Sequence, residues 1–279
     1  MPPDLMQRGL ALVAGLTGGA SGFEVAYMHY RGSYNQRIMW TPLLMSQAML
    51  GAGLWAALDS SANQRALKSV LPWASGLTLA DCATGFVFHL RGIARKPGGY
   101  RMLVNNVCMG PPPFAPLLFG LAAYIGWVAS RPPRGETVAA FTAFAALASG
   151  TEALYSHYQN NFQYRVQYLP LIVAPALAGA AGLAATGRNR KLLPPASALA
   201  MATGGIGSFY HLRGVLRRPG GRKKLMHNIM YGPPALAPLL FSGAGFLGLV
   251  ATLLQRSRRR AAPRALPPLP HPEPARRLG

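Results

Sequence analysis

The chain repeats itself, and the copy keeps polar residues that an oily sequence has every reason to lose. FVFHLRGIARKPGG (Phe86 to Gly99) returns as SFYHLRGVLRRPGG (Ser208 to Gly221), and MGPPPFAPLLF (Met109 to Phe119) returns as YGPPALAPLLF (Tyr231 to Phe241), both at an offset of 122 residues. Upstream, GFEVAYMHY (Gly22 to Tyr30) returns as GTEALYSHY (Gly150 to Tyr158) at an offset of 128. Any fold must therefore place each motif twice in equivalent surroundings. Divergence between the copies is uneven: 19 of 36 positions match between 85–120 and 207–242, but only four of 12 in the stretch just before, 73–84 against 195–206.

The surroundings are read from composition. Of 279 residues 51% are apolar and 13% charged, with seven acids against 28 Lys and Arg. A soluble domain has about a quarter of its residues charged, so the solvent for much of this chain is lipid. Windows near the roughly 20 residues of a membrane span occur eight times, at about 9–30, 39–58, 69–90, 109–130, 138–158, 167–186, 192–212 and 232–254. The fold class expected is an all-α integral membrane protein, eight transmembrane helices arranged as two tandem four-helix repeats, 1–135 and 136–255. Four spans per unit bring both units in from the same side, so the repeats are parallel, related by an axis along the membrane normal. Residues 256–279 are Arg- and Pro-rich and read as a disordered tail.

Every repeated polar motif then falls on one end of the bundle, the motif face. Pro42 and Pro170 open the second and sixth spans, and Gly110-Pro111-Pro112 and Gly232-Pro233-Pro234 the fourth and eighth, with Pro116 and Pro238 expected to kink those two a turn further in. Gly15, Gly18, Gly19 and Gly22 form small-xxx-small steps for close helix packing. A bridge between Cys82 and Cys108 is not expected, because they sit at different depths. The start, MPPDLMQRGLALVAGL, reads as the opening of a span rather than a cleavable signal.

The formal charge of +21 is scattered among loops between apolar segments, which excludes a nucleic-acid stripe and fits loops beside anionic lipid head groups. Counting Lys and Arg gives 13 on each side, so loop charge alone does not orient the chain. Setting aside motif-face Arg retained for binding favours both termini in the cytoplasm, in a bacterial-type inner membrane.

Glu24 and Glu152 are the sharpest single residues. Each precedes its histidine by five positions, about 7.5 Å deeper along the helix, and an ionisable group within the membrane is a functional candidate by default. Five residues also turn a helix by about 500°, leaving Glu and His roughly 140° apart. One helix cannot give both to a single ion, so a site needs several helices. His29, His89, His157 and His211 all stand at motif-face helix ends. They read either as macrodipole partners in an interfacial belt or as ligands. As ligands, Glu24, His29, His89, Glu152, His157 and His211 make a mixed carboxylate–imidazole set for a metal ion, iron first. The histidines alone make a bis-imidazole set for haem b, with Gly85 and Gly207 clearing room for the porphyrin.

Arg91 and Arg213, with Asn106 and Asn228, stand ready for anionic groups: lipid phosphate, a propionate, or an acidic partner subunit. Asp81 has no copy, since Thr203 occupies its counterpart. Walker, Cys-x-x-Cys, Gly-x-Ser-x-Gly and His-Glu-x-x-His patterns are missing, which removes most soluble-enzyme classes. The function expected is a membrane subunit binding a metal centre or haem for electron transfer with quinone or a partner subunit. A transporter with proton or cation sites at Glu24 and Glu152 is the first alternative, and a scaffold docking a partner on its basic face the second.

Overall fold

The structure, a computed structural model, describes residues 3–61, 63–131 and 133–261. It is 84% helical and has no strand among the described residues. The first half comprises α1 (Pro3–Arg31), α2 (Thr41–Leu58), α3 (Leu71–Ala94), the short α4 (Leu103–Cys108) and α5 (Ala115–Ser130). The same order returns as α6 (Gly135–Gln159), α7 (Leu169–Ala185), α8 (Leu193–Arg217), the short α9 (Leu225–Tyr231) and α10 (Ala237–Ala261).

Among the described residues, five helical stretches are long and apolar enough to cross a membrane: Leu5–Arg31, Arg37–Leu58, Gly135–Gln159, Arg165–Ala185 and Ala237–Arg260. The other three expected spans fall in α5, α3 and α8. Helix α5 has only 16 residues. Helices α3 and α8 are long enough but less apolar, α3 carrying Asp81, His89 and Arg91 and α8 a run of Ser, Thr and Gly.

Two expectations about helix ends need correction. The Gly-Pro-Pro stretches do not open helices: Gly110–Phe114 and Gly232–Leu236 are non-helical, and α5 and α10 begin at Ala115 and Ala237. Pro116 and Pro238 therefore lie in a first turn, where the missing N–H has no partner to lose, and produce no kink there. At the other end α10 continues to Ala261, so the first residues assigned to the tail are helical. Residues 262–279 lie outside the described part.

Helix α5 sits at the centre of the first half, packed on α1 and α3, and α10 takes the same place against α6 and α8. The two central helices meet where Leu121 lies over Gly243, positions that are themselves counterparts. Lipid tails are as apolar as leucine, so helices in a bilayer associate through close packing more than through exclusion of water. The interior follows that rule, with fully buried alanines such as Ala14, Ala122, Ala146, Ala181 and Ala251. Gly15 sets its backbone directly against Gly53. Large apolar side chains such as Leu44, Trp55, Trp73 and Ile172 face outwards. Cys82 is buried and Cys108 half-buried, and both are free thiols.

Candidate functional site

The two carboxylates reach across the boundary between the halves, each to the other's central helix. Glu24, on α1 and 9% exposed, accepts the Leu236 amide at 3.4 Å and the Tyr27 hydroxyl at 2.9 Å. Glu152, on α6, accepts the Phe114 amide at 3.1 Å. Residues 114 and 236 are counterparts, each immediately preceding α5 or α10. A carboxylate here fills two needs of a helix start at once: it accepts a backbone N–H that has no partner within the helix and it faces the positive end of the macrodipole. Glu24 thus caps α10 and Glu152 caps α5, an exchange that ties the halves together.

The imidazoles turn the other way, into their own half. His29 donates Nδ1–H to the Met39 carbonyl (2.7 Å) and His157 to that of Gln167 (3.0 Å). His89 and His211 donate to the carbonyls of Pro112 and Pro234, both at 2.6 Å. A carbonyl only accepts, so each Nδ1 carries the proton, and in the neutral ring Nε2 keeps its lone pair. The histidines therefore pin the irregular segments before α2, α5, α7 and α10. One pair also approach each other: the His157 and His211 rings stand edge to face with centres 6.5 Å apart.

The six expected ligands thus divide, acids across the boundary and imidazoles within each half. Among the described residues no three His, Cys, Asp or Glu side chains gather closely enough to hold a metal ion. The glycines have another purpose than the one expected. A Cβ on Gly85 would fall 3.2 Å from Cβ of Pro116, and one on Gly207 would fall 2.9 Å from Cβ of Pro238. They let α3 and α8 close on the proline rings of α5 and α10; they do not clear a porphyrin slot.

Asn106 and Asn228 are each 1% exposed, with their amide groups engaged by the loops they follow. Asn106 Nδ2 donates to the carbonyls of Pro97 (3.0 Å) and Gly99 (2.9 Å), and Asn228 Nδ2 to those of Pro219 (3.4 Å) and Gly221 (3.1 Å). Both loops turn on a glycine with positive φ, Gly98 at 78° and Gly220 at 81°, a conformation open to glycine without steric penalty. Arg91 and Arg213 are exposed, Arg91 stacking its guanidinium 5.6 Å from the Phe88 ring centre.

Sequence reading missed an aromatic pair beneath the histidines. Tyr34 stacks on Trp40 with ring centres 4.2 Å apart, and the counterparts Phe162 and Tyr168 stack at 4.7 Å. Tyr34 and Phe162 both hold φ at 47°, a left-handed conformation uncommon for a bulky residue, and each meets its histidine edge to face at 6.2 Å. The signal was aromatic character kept at both positions while residue identity changed. Asp81 is the asymmetric element. It accepts the Thr41 hydroxyl at 2.5 Å and lies within electrostatic reach of His29. In the other half Thr203 instead donates to the Leu199 carbonyl of its own helix.

No family model, curated protein or solved structure matches the chain.

Proposed function

We propose that this chain is an eight-span membrane subunit, two four-helix repeats (1–135 and 136–255) related by an axis along the membrane normal, that holds a transition-metal centre on His157 and His211. Support for the repeat comes from bonds recurring at equivalent places: the carboxylate caps, the imidazole–carbonyl pairs, the asparagine braces and the aromatic stacks. All eight spans are needed to put these recurrences at one end of the bundle.

The observation that carries the metal reading is the His157–His211 pair, with Nδ1 locked on carbonyls and ring centres 6.5 Å apart. Metal-ligating histidines ordinarily use their second nitrogen this way, which orients Nε2 as the donor. Two metal–nitrogen bonds of about 2 Å and two ring radii of about 1 Å put the centres roughly 6 Å apart for ligands on opposite sides of an ion. The rings now stand edge to face, so bringing both Nε2 atoms onto one ion takes a turn of one ring as well as a small approach. Imidazole suits iron, copper, zinc and nickel; iron or copper would supply the one-electron chemistry for exchange with quinone or a partner subunit. With proline rings beside Gly85 and Gly207, the donor set favours a bare ion over haem b.

Elemental analysis with a visible spectrum of detergent-purified protein tests this. The reading expects stoichiometric metal, lost in His157→Asn/His211→Asn. Metal-free, colourless protein from metal-replete cells refutes it. One observation favours a second reading, a proton- or cation-coupled transporter: Glu24 and Glu152 bridge the two halves. It expects uptake or efflux that collapses in Glu24→Gln and Glu152→Gln without any bound metal. On either reading we assign the chain to a bacterial-type inner membrane with both termini cytoplasmic.

A further inference from the structure

The two segments that follow α3 and α8, residues 98–109 and 220–231, are not absorbed by that reading. Each leaves its helix through a left-handed glycine turn, continues as one turn of 3-10 helix and ends in a short α-helix, α4 or α9. The buried asparagines Asn106 and Asn228 fasten each segment back onto its own turn, so its shape is preset. What the segments present outwards is mixed. Val104 (69% exposed), Met109 and Met226 stand out beside Arg101, Arg222, Lys223 and Lys224, which are exposed as well.

Among the described residues, nothing on this face neutralises that charge. The motif-face loops carry 13 Lys and Arg. The acids near them are engaged elsewhere: Glu24 and Glu152 cap helices, and Asp81 takes the Thr41 hydroxyl. The single ion pair among the described residues, Arg190–Glu136 at 2.9 Å, involves the opposite end of the bundle. Uncompensated guanidinium and ammonium groups interleaved with exposed apolar side chains, on rigid segments joined directly to membrane helices, match one environment. That environment is the boundary between phosphate head groups and acyl chains.

We propose that these paired segments are feet that bind anionic phospholipid, and that the second foot is the selective one. Where the first foot has Tyr100, Arg101 and Met102, the second has Arg222, Lys223 and Lys224. The first therefore anchors by apolar insertion, and the second recognises phosphate charge. A single basic residue at an anionic surface contributes about fivefold in binding, so removing three weakens lipid retention by at least roughly tenfold.

The test uses the full chain in nanodiscs of phosphatidylcholine, with or without one-fifth phosphatidylglycerol, reading thermal unfolding and the lipid retained in native mass spectrometry. Phosphatidylglycerol should raise the unfolding temperature and remain bound. The variant Arg222→Gln/Lys223→Gln/Lys224→Gln should lose at least tenfold in retention and most of the thermal shift, whereas Arg65→Gln/Lys68→Gln/Lys191→Gln on the opposite end keeps both. Inorganic phosphate should not reproduce the shift. Equal stability in the two lipid mixtures overturns the proposal, as does a shift unchanged in the triple variant. Stabilisation by an acidic peptide or inorganic phosphate in place of phosphatidylglycerol likewise overturns it, assigning the surface to an acidic protein or a free anion.

Discussion

Replacing Glu24 by Ala should loosen the joint between the halves, as should the same change at its counterpart Glu152, more than other single polar changes on the motif face. The carboxylate accepts the Leu236 amide and the Tyr27 hydroxyl from a buried position at the start of α10. A hydrogen bond to a charged group contributes about 1.5–3 kcal/mol, and a partly buried charge at a helix end up to about 2 kcal/mol, overlapping with the first. Together with the amide left unpartnered, the expected loss is about 2–4 kcal/mol. In a chain of this size that lowers the unfolding temperature by about 5–10 °C. Gln keeps the shape and an acceptor oxygen but not the charge, so Glu24→Gln should fall about halfway. Glu152→Ala should behave alike, and because both acids clamp one boundary, the double variant should depart from additivity by about 0.5–1 kcal/mol or more. Intrinsic tryptophan fluorescence during heating in a mild detergent reads all four variants. Glu24→Ala unfolding within about 1 °C of the parent, with the fold intact, would refute the capping argument.

Other outcomes follow from the same geometry. Asn228→Ala should release the 219–231 segment, losing about 1–3 kcal/mol for carbonyls left without their donor, seen as faster amide exchange confined to that segment. Gly207→Ala should destabilise by about 1–3 kcal/mol through overpacking against Pro238, while Gly205→Ala, where a Cβ meets nothing within 4 Å, should be neutral or slightly stabilising; thermal unfolding separates them. Asp59 accepts hydrogen bonds from Ser61 and from the Ala66 amide, which hold its carboxyl below the usual aspartate range. A carboxyl with a depressed folded-state value stabilises above its unfolded value and stops doing so as pH falls through the folded one. The 59–66 loop should therefore open as pH drops below the ordinary aspartate range, read by hydrogen exchange, and Asp59→Asn should remove that dependence.

Much of this was legible in the sequence. The duplication fixed which residues share a role, and the shortage of charge placed them in lipid, where buried polar side chains must find partners. The angular argument about Glu and His also held. Five residues turn the helix so far that the carboxylate faces the other half while the imidazole faces its own. What could not be read was the carboxylate's destination. Leu236 lies 212 residues from Glu24, and its contribution is a backbone amide, which leaves no trace in residue identity. The same applies to the carbonyls of Met39, Pro112, Gln167 and Pro234. Gly85 and Gly207 misled because small size signals room without naming the occupant, here the rings of Pro116 and Pro238. The Pro-rich stretches misled too: proline marks a first helical turn, but two or three candidates in a row leave the start undetermined until Ala115 and Ala237 are seen.

The claim beneath all of this is that both halves enter the membrane in the same sense, so that every repeated motif meets at one face. Single cysteines introduced at Gln36, Tyr100, Gln163 and Arg222, in a chain with Cys82 and Cys108 replaced, can be labelled by an impermeant maleimide in oriented vesicles. All four should react from one side, and cysteines at Arg65, Arg134 and Arg188 from the other. Reaction of Gln36 and Gln163 from opposite sides would mean inverted halves and no shared motif face.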